Sequence, residues 1–257
     1  MPAPGTLERP TREQLVRVQY ADAQLVAGYA YTGWGPTARS HHSRVHAVDQ
    51  VLLGLDGGTL LDVGCGPGMM VRHLLDERPG DFALIGCDRS AAMVDAARRR
   101  AGDEASFSVG DIEDLPFADG SFDAALAMGV LEYVDVGPAL HEVARVVRPG
   151  GLAVVTMLNP CSPYRLVEWG LYWPARRTGI EALAPRRLRH ELWRAGLQPE
   201  DTLFYDVTLL VPPFDRLATA KSERRRRAHP ETTVARGAAG RLGTGYLIAA
   251  RRVTGPL

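Results

Sequence analysis

Residues 58–157 alternate short apolar runs with segments of helical periodicity, and this alternation constrains the fold more than any other feature of the chain. A strand that runs parallel to its predecessor needs a crossover between the two, usually a helix. The pattern therefore predicts a parallel α/β sheet whose strands are covered on both faces. The candidate strands are residues 60–63, 83–87, 106–109, 122–128 and 152–157.

The segments on either side of this core carry weaker patterns. Before the core, apolar residues recur at helical spacing, which predicts a helix over residues 40–54 that packs against the sheet. After the core we predict an irregular segment over 159–184 and a helix over 185–195. Two final strands are expected over 202–210 and 245–250.

The first strand leads directly into a glycine-rich loop and then a helix. Gly64, Gly66 and Gly68 follow Asp62 in this loop, and glycines there let the backbone approach a ligand closely. The spacing is G-x-G-x-G, whereas dinucleotide loops use G-x-G-x-x-G, and Pro67 lacks an N–H for a phosphate. Asp62 would repel a phosphate but attract an ammonium group. The loop therefore favours an amino-acid tail, with a purely structural tight turn as the alternative.

Acidic residues follow the next two strands. Asp88 lies 20 residues after Gly68, where a carboxylate can accept hydrogen bonds from both ribose hydroxyls. Asp111 and Ile112 follow the third strand and offer a carboxylate for an exocyclic amine and an apolar side chain for an adenine face. The alternatives are a helix cap for Asp88 and a surface turn for Asp111. Together the three sites predict a ligand with adenine, ribose and a short tail.

This ordered series resembles the class I S-adenosylmethionine-dependent methyltransferases, and within them the small-molecule branch that includes the ubiquinone and menaquinone biosynthesis methyltransferases. The resemblance extends over residues 20–157 and is carried by residues 61–68, 87–88, 110–111, 115–117, 121–123, 129–133 and 140–151. It implies methylation of an oxygen, nitrogen or carbon of a small metabolite, with a natural product as the expected acceptor. S-adenosylhomocysteine would be the product, and no metal is implied.

The resemblance also implies a fold and a set of cofactor contacts. The expected fold is a Rossmann-like α/β fold: a seven-stranded, mostly parallel, doubly wound sheet with an N-terminal helical lid and a final antiparallel hairpin. In the family, Asp88 contacts the ribose, Asp111 and Ile112 the adenine, and the backbone of Met128 and Gly129 the methionyl group. The complete set of expected cofactor residues is Asp62, Gly64, Cys65, Gly66, Gly68, Asp88, Arg89, Met93, Asp111, Ile112, Met128 and Gly129.

The same resemblance sets the domain division. Residues 1–39 are expected to form a helical and aromatic lid, and residues 40–257 the methyltransferase domain. Within that domain, residues 58–157 form the cofactor half, and residues 158–257 supply the acceptor side and the C-terminal strands.

Acceptor residues are expected outside the carboxyl ends of the strands, where ligands bind in an open α/β sheet. The helix over 40–54 leads into the amino end of the first strand, so its own start lies at this edge. His41 and Tyr29 are the candidate catalytic residues, since residues 129–133 lack the histidines found in many relatives. The candidate acceptor-binding residues are Tyr20, Tyr31, Trp34, His42, Tyr133 and Tyr164. Helix packing for the aromatic residues and simple solvation for the histidines are the alternatives.

Charge and cysteine content narrow the function class. Thirty basic side chains balance thirty acidic ones, so no overall field attracts nucleic acid. The three cysteines lack metal-ligand spacing, which favours a reducing cytoplasm, and no apolar run reaches bilayer-spanning length. Two alternatives remain open: a non-catalytic S-adenosylmethionine-binding partner subunit, and an RNA-modifying methyltransferase that uses the four arginines at 224–227. The presence of all three cofactor acids disfavours the first, and a solvated linker explains the arginines more simply.

Overall fold

A computed structural model of the protein describes residues 36–172, 180–207, 234–237 and 242–254. The α-helices in the described residues are α1 (Pro36–Leu52), α2 (Met69–Glu77), α3 (Ala91–Ala101), α4 (Val136–Val146), α5 (Pro163–Tyr172) and α6 (Pro185–Arg194). The strands are β1 (Gly58–Val63), β2 (Phe82–Asp88), β3 (Ser106–Val109), β4 (Phe122–Ala127), β5 (Val147–Leu158), β6 (Leu197–Val207), β7 (Val234–Ala235) and β8 (Gly243–Arg252).

All eight strands form one sheet in the order β3-β2-β1-β4-β5-β8-β6-β7. The first five strands pair in parallel, whereas β8 runs antiparallel to both β5 and β6. The predicted α/β class and the antiparallel C-terminal pair are confirmed. The chain moves outwards from β1 to β3 and then returns to β4 on the other side of β1, so the strand order reverses between β1 and β4. Ligands bind at such switch points.

The strand count is eight in the described residues, not the seven that the resemblance implied. The additional strand is β7, two residues long, which pairs antiparallel with Phe204 and Tyr205 of β6. So short a strand gives no alternating pattern that could be detected in a sequence. It lies at the edge of the sheet, away from the switch point.

The two faces of the sheet are covered by different helices. Val48, Val71 and Val94, from α1, α2 and α3, pack with Leu60 and Leu126 on one face. Leu140 of α4 and Leu188 of α6 pack in a second cluster on the other face. The sheet is therefore doubly wound, and the prediction that the helix preceding β1 packs against it is confirmed.

Several boundaries differ from the sequence predictions. The segment predicted to be irregular contains α5, which begins at Pro163, a residue that suits the first turn of a helix because its missing N–H has no partner there. β6 begins at Leu197, earlier than predicted, because Pro199 lies where the register shifts and no ladder N–H is required. In the part of the chain that the structure describes, no helix is both long and apolar enough to cross a membrane.

Candidate cofactor and acceptor site

The loop between β1 and α2 is fixed to β2 by backbone hydrogen bonds. The N–H groups of Gly64 and Cys65 both donate to the Cys87 carbonyl, at 2.7 and 3.0 Å. Gly64, Gly66 and Gly68 have φ angles of 68°, 51° and 76°, in the left-handed region that costs other residues about 1–2 kcal/mol. The conformation of the loop therefore favours glycine at all three positions.

The three glycines differ in what surrounds them. A Cβ on Gly64 would lie 2.8 Å from the Val130 side chain, and one on Gly68 would lie 2.9 Å from Ala97. These two glycines permit close packing of neighbouring elements. A Cβ on Gly66 would meet nothing within 4 Å, so the Gly66 backbone borders open space that a ligand can enter.

Asp88 ends β2 and supports this loop. Its two carboxylate oxygens accept hydrogen bonds from the N–H groups of Gly66, at 2.8 Å, and Ser90, at 2.9 Å. Burial raises the pKa of Asp88, while these two hydrogen bonds oppose the rise. The cap of α3 is Ser90, whose side chain accepts from the Met93 N–H, so Asp88 is not the capping residue. Each carboxylate oxygen keeps a second lone pair that can accept from a ribose hydroxyl.

Asp62 is buried in β1, with 2% of its surface exposed. Burial, followed by the nearby charge of Asp88, raises the pKa of Asp62 to about 7, and the positive charge of Arg44 opposes the rise. A carboxylate held in this environment gains strongly from a cationic partner. This environment suits the binding of an ammonium group, as the sequence predicts.

Asp111 and Ile112 follow β3 as expected. The Asp111 side chain is exposed, and its Oδ1 accepts from the Glu113 N–H at 3.1 Å. Ile112 is 5% exposed and belongs to the core cluster of one sheet face. Met93 is buried in α3. Arg89 is exposed, and its positive charge lowers the pKa of the neighbouring Asp88.

Cys65 is a buried residue of the loop. Its thiol donates to the Gly66 carbonyl at 3.5 Å. Burial raises the pKa of this thiol, so it stays protonated and its role is to shape the loop rather than to act as a nucleophile.

The residues after β4 are fixed from two sides. The Gly129 N–H donates to Oγ1 of Thr156 at 2.9 Å, and Thr156 also hydrogen-bonds with the Tyr205 hydroxyl. On the other side, a Cβ on Gly129 would overlap the guanidinium of Arg44. Gly129 has a φ of 64°, and Met128 packs against a core cluster. The backbone expected near the methionyl group is therefore rigidly held.

His41 lies near the start of α1 and is 7% exposed, whereas His42 is exposed. The Arg44 guanidinium lies 3.1 Å from Nδ1 of His41, and because arginine can only donate, Nδ1 accepts. Burial, and then the charge of Arg44, lowers the pKa of His41 well below its usual value. His41 is therefore neutral, with its proton on Nε2.

Two of the predicted acceptor residues lie on the loops after β4 and β5. Tyr133 is half-buried, and Tyr164 of α5 is 4% exposed, with the Arg165 guanidinium 5.6 Å from its ring centre. Glu132, which precedes Tyr133, is 3% exposed, and its Oε1 accepts from the Leu158 N–H at 2.9 Å. Burial raises the pKa of Glu132. Its hydrogen bond with the Leu158 N–H joins the loop after β4 to the end of β5.

The remaining predicted site residues, Tyr20, Tyr29, Tyr31 and Trp34, lie outside the described residues, as do the arginines at 224–227. The catalytic role of Tyr29, the acceptor roles of the other three and the division into lid and domain stay predictions.

The residues present fit a cofactor with an adenosyl group and an amino-acid tail. Open space borders the Gly66 backbone, whose N–H donates to Asp88, and Asp88 retains acceptor capacity for a diol. Asp62, two residues before this loop, is a buried carboxylate whose charge its surroundings disfavour. Asp111 stands exposed at the end of the next strand. This donor set matches an ammonium, two ribose hydroxyls and an adenine amine in order along β1, β2 and β3.

The structure also shows site residues that the sequence reasoning missed. Arg44 and Thr156 contact Gly129, and Tyr205 hydrogen-bonds with Thr156, yet the three residues come from α1, β5 and β6. No motif joins residues so far apart in the chain. The only available signal was the spacing of Arg44, three residues after His41, which places both on one face of a helix.

Comparisons with known proteins agree with this geometry. Residues 61–155 match the family model described as "Methyltransferase domain". The ubiquinone/menaquinone biosynthesis C-methyltransferase UbiE of Paracoccus denitrificans is 35% identical over 120 residues, which are 44% of this chain and 47% of that protein. The malonyl-[acyl-carrier protein] O-methyltransferase of Pseudescherichia vulneris is 35% identical over 157 residues, 58% of this chain and 60% of that protein.

The chain thus spans about half the length of these curated relatives. Among solved structures, geranyl diphosphate C-methyltransferase from Streptomyces coelicolor has a TM-score of 0.60 and 22% identity, covering 97% of this chain and 100% of that one. That likeness shows the fold. The resemblance to class I methyltransferases similar to UbiE is confirmed over the part of the chain that these matches cover.

Proposed function

We propose that this protein, whose residues 61–155 match the methyltransferase-domain family, transfers a methyl group from S-adenosylmethionine to a small metabolite. The methylated atom is an oxygen, nitrogen or carbon, and a natural product is the proposed acceptor class. The observation that carries the proposal is the set of three carboxylates, Asp62, Asp88 and Asp111, at the ends of adjacent strands, with open space beside the Gly66 backbone that donates to Asp88.

Each acidic residue has one proposed role. Asp62 binds the ammonium of the amino-acid tail, Asp88 accepts from the ribose hydroxyls, and Asp111 accepts from the adenine amine. The cofactor supplies an activated methyl group on its sulfonium. The protein must therefore chiefly align the acceptor with this methyl group and exclude water. The rigid backbone at Gly129 and the closely packed loops after β4 and β5 support that task.

His41 and Tyr29 are the proposed catalytic residues on the acceptor side. Because Nδ1 of His41 accepts from Arg44, its Nε2–H is the group that His41 can offer to an acceptor. We therefore propose that His41 orients the acceptor as a hydrogen-bond donor. Removal of an acceptor proton, where the chemistry needs it, would fall to Tyr29 or another residue. Tyr20, Tyr31, Trp34, His42, Tyr133 and Tyr164 are proposed to shape the acceptor pocket.

The names of the relatives support a small acceptor. They describe methylation in quinone biosynthesis, methylation of a malonyl group on acyl-carrier protein, and C-methylation of geranyl diphosphate. Because these acceptors differ widely in chemistry, the names support a small acceptor in general but no particular one. Screening must therefore identify the acceptor. Cys65, Cys87 and Cys161 are free cysteines, which supports a proposed location in a reducing cytoplasm.

Calorimetric titration with S-adenosylhomocysteine tests the cofactor site. Replacing Asp88 with alanine should weaken binding by about 1–3 kcal/mol, because a charged hydrogen-bond acceptor is lost. Asp95→Ala is the matched control, since Asp95 lies in the helix that follows β2 and is exposed at the surface. Its affinity should equal that of the native protein.

The same titration can contradict the proposal. If the folded native protein binds no S-adenosylhomocysteine, the methyltransferase function is wrong. If the native protein and Asp88→Ala bind it equally, the ribose role of Asp88 is wrong. A confirmed site justifies screening acceptors with S-adenosylmethionine and measuring methylated product by mass spectrometry.

A further inference from the structure

A cavity of about 440 Å³ lies at the amino edge of the sheet, opposite the edge that carries the proposed cofactor site. β1, β4 and β5 begin at this edge because they run in parallel, and β8, which is antiparallel to β5, ends there. Asp62 lies four residues along β1 from Gly58, a separation of about 13 Å. The charged residues that line the cavity are Asp56, Asp123, Arg148 and Arg251.

Glycines in the turn between α1 and β1 keep this cavity open. A Cβ on Gly58 would lie 2.6 Å from Oδ2 of Asp123, and the φ of Gly58 is 110°, so a side chain there is both strained and obstructed. Gly54 also lines the cavity. A Cβ on Gly54 would approach only the Val51 carbonyl, at 3.6 Å. The wall at Gly54 therefore has room for a larger residue, whereas the wall at Gly58 does not.

The guanidinium groups of Arg148 and Arg251 are anchored on consecutive carbonyl groups. Nη1 of Arg148 donates to the Pro149 carbonyl at 3.5 Å, and Nη1 of Arg251 donates to the Gly150 carbonyl at 3.2 Å. Nε of Arg251 faces the exposed Glu200 at 3.4 Å, a pair that solvent weakens. Among the residues that the structure describes, Nη2 of neither arginine donates a hydrogen bond. The two guanidiniums are thus fixed in place and keep N–H groups available to a ligand.

The two acidic residues of the cavity differ in their partners. Asp123 accepts from the Thr59 N–H at 2.7 Å and from Nε of Arg148 at 2.6 Å. These two hydrogen bonds lower the pKa of Asp123, so its negative charge is already compensated. Asp56 is exposed, and within the described parts of the chain it takes part in no hydrogen bond or ion pair. The cavity therefore offers two guanidiniums to an anionic group and the Asp56 carboxylate to a cationic one.

We propose that this cavity binds a small metabolite that carries a phosphate or carboxylate group and an amine, at a site separate from those of the cofactor and the acceptor. Arg148 and Arg251 bind the anionic group, and Asp56 binds the amine. Guanidinium groups present paired N–H donors that match the oxygen atoms of a phosphate or a carboxylate. A volume of about 440 Å³ is typical of a small-molecule site.

Calorimetry on the full chain with three ligands tests the proposal. Phosphoethanolamine carries a phosphate and an amine, β-alanine carries a carboxylate and an amine, and inorganic phosphate has no amine. The native protein should bind at least one of the two amines, and the tighter of the two identifies the anionic group. If that is phosphoethanolamine, it should also bind more tightly than inorganic phosphate, because its amine reaches Asp56.

Replacing Arg251 with glutamine should weaken binding about 10-fold, because a charged hydrogen-bond donor is lost. Arg194→Gln is the matched control, since Arg194 is also exposed and lies 3.5 Å from a carboxylate oxygen, that of Glu191. Its affinities should equal those of the native protein. Asp56→Asn should lower the affinity for the amine-bearing ligand while the affinity for inorganic phosphate does not fall.

A fourth variant fills the cavity and leaves every proposed ligand-binding side chain in place. Gly54→Gln should abolish binding, and its unfolding temperature should stay close to that of the native protein, because a Cβ there meets only the Val51 carbonyl. Thermal unfolding of all the variants checks that each one folds.

Three results would overturn the proposal. The native protein could bind neither phosphoethanolamine nor β-alanine, in which case the cavity is not a site for such a ligand. Unchanged affinity in both Arg251→Gln and Gly54→Gln would mean that the ligand binds elsewhere. Displacement of the ligand by S-adenosylhomocysteine would assign it to the opposite edge of the sheet, whereas the proposal expects both to bind at once.

Discussion

Asp62 and Asp88 are carboxylates in a site that disfavours their charge. Burial is the largest influence on both, and it raises the pKa of each. A protein keeps such groups at a cost in stability, and they cluster where a ligand or a reaction uses them. At the scale of single residues, the proposed cofactor site is therefore marked by unfavourable electrostatics that a cationic ligand would relieve.

The first prediction concerns the pH dependence that Asp62 causes. Its usual pKa is 3.8, which applies to the unfolded chain, and the folded value is about 7. Between these values the folded state binds more protons, so its stability falls as the pH rises. From pH 5 to pH 8 the native protein should lose about 3 kcal/mol more unfolding free energy than Asp62→Asn. Urea denaturation at the two pH values measures the difference, and equal losses would contradict the assignment.

The second prediction separates two glycines of the loop. Gly66→Ala should cost only the strain of a left-handed backbone, about 1–2 kcal/mol, because a Cβ there meets nothing within 4 Å. Gly68→Ala should cost more, since its Cβ would also press against Ala97. Thermal unfolding ranks the two variants. Titration with S-adenosylhomocysteine should show that Gly66→Ala loses more affinity, relative to its loss of unfolding free energy, than Gly68→Ala does. The reverse ranking would mean that the ligand does not approach Gly66.

At the scale of elements, β5, β6 and β8 are connected by side-chain contacts as well as by the backbone hydrogen bonds of the sheet. Tyr205 of β6 lies over Gly245 of β8, where a Cβ would overlap its ring, and thereby reaches Thr156 of β5. Thr156 in turn accepts from the Gly129 N–H beyond β4. Because Gly245 of the intervening β8 has no side chain, Tyr205 of β6 can reach Thr156 and so influence the backbone at Gly129.

The third prediction tests this connection with a matched pair of variants. Thr156→Val preserves shape but removes the oxygen, so the half-buried Gly129 N–H and the buried Tyr205 hydroxyl both lose a partner, at a cost of about 1–3 kcal/mol. Thr156→Ser keeps the oxygen and should lose less. Urea denaturation measures both, followed by titration with S-adenosylhomocysteine. Equal stability of the two variants would show that the hydroxyl is not what fixes Gly129.

The elements were predictable from sequence where their pattern is local. The five parallel strands carry local apolar patterns, and each was found close to its expected position except that β5 begins at Val147, five residues before the predicted start. The start of β6 was missed because Pro199 argues against a strand unless a register shift accommodates it. β7 was missed because its two residues depend on pairing with β6, which is a tertiary contact.

At the scale of the whole molecule, the fold brings the three carboxylates of the proposed cofactor site together from consecutive elements but assembles the surroundings of Gly129 from distant ones. Asp62, Asp88 and Asp111 lie at or just beyond the carboxyl ends of β1, β2 and β3, so their order in the sequence already implied their arrangement. Arg44, Thr156 and Tyr205 converge only when α1, β5 and β6 have packed around the switch point. That difference explains why the cofactor was inferred from sequence while the surroundings of Gly129 were not.

The fourth prediction concerns the balance of charge over the molecule. Basic and acidic side chains are equal in number, which favours an uncharged small acceptor over RNA. Replacing the four arginines at 224–227 with serine should leave the affinity for S-adenosylhomocysteine and the methylation of a small acceptor unchanged. A gel-shift assay with total RNA at low salt provides the comparison. RNA binding by the native protein that the substitution abolishes would revive the RNA-modifying alternative.

The position of β8 has a consequence for how the chain is made. β8 follows β6 and β7 in the sequence but lies between β5 and β6 in the sheet. During translation, β5 and β6 leave the ribosome before the strand that joins them exists, so both expose an unpaired edge until residues 243–252 have emerged. Exposed edges of this kind invite association with other chains. Slower elongation over residues 208–242 would prolong that exposure, and chaperone demand should be greatest in this interval of synthesis.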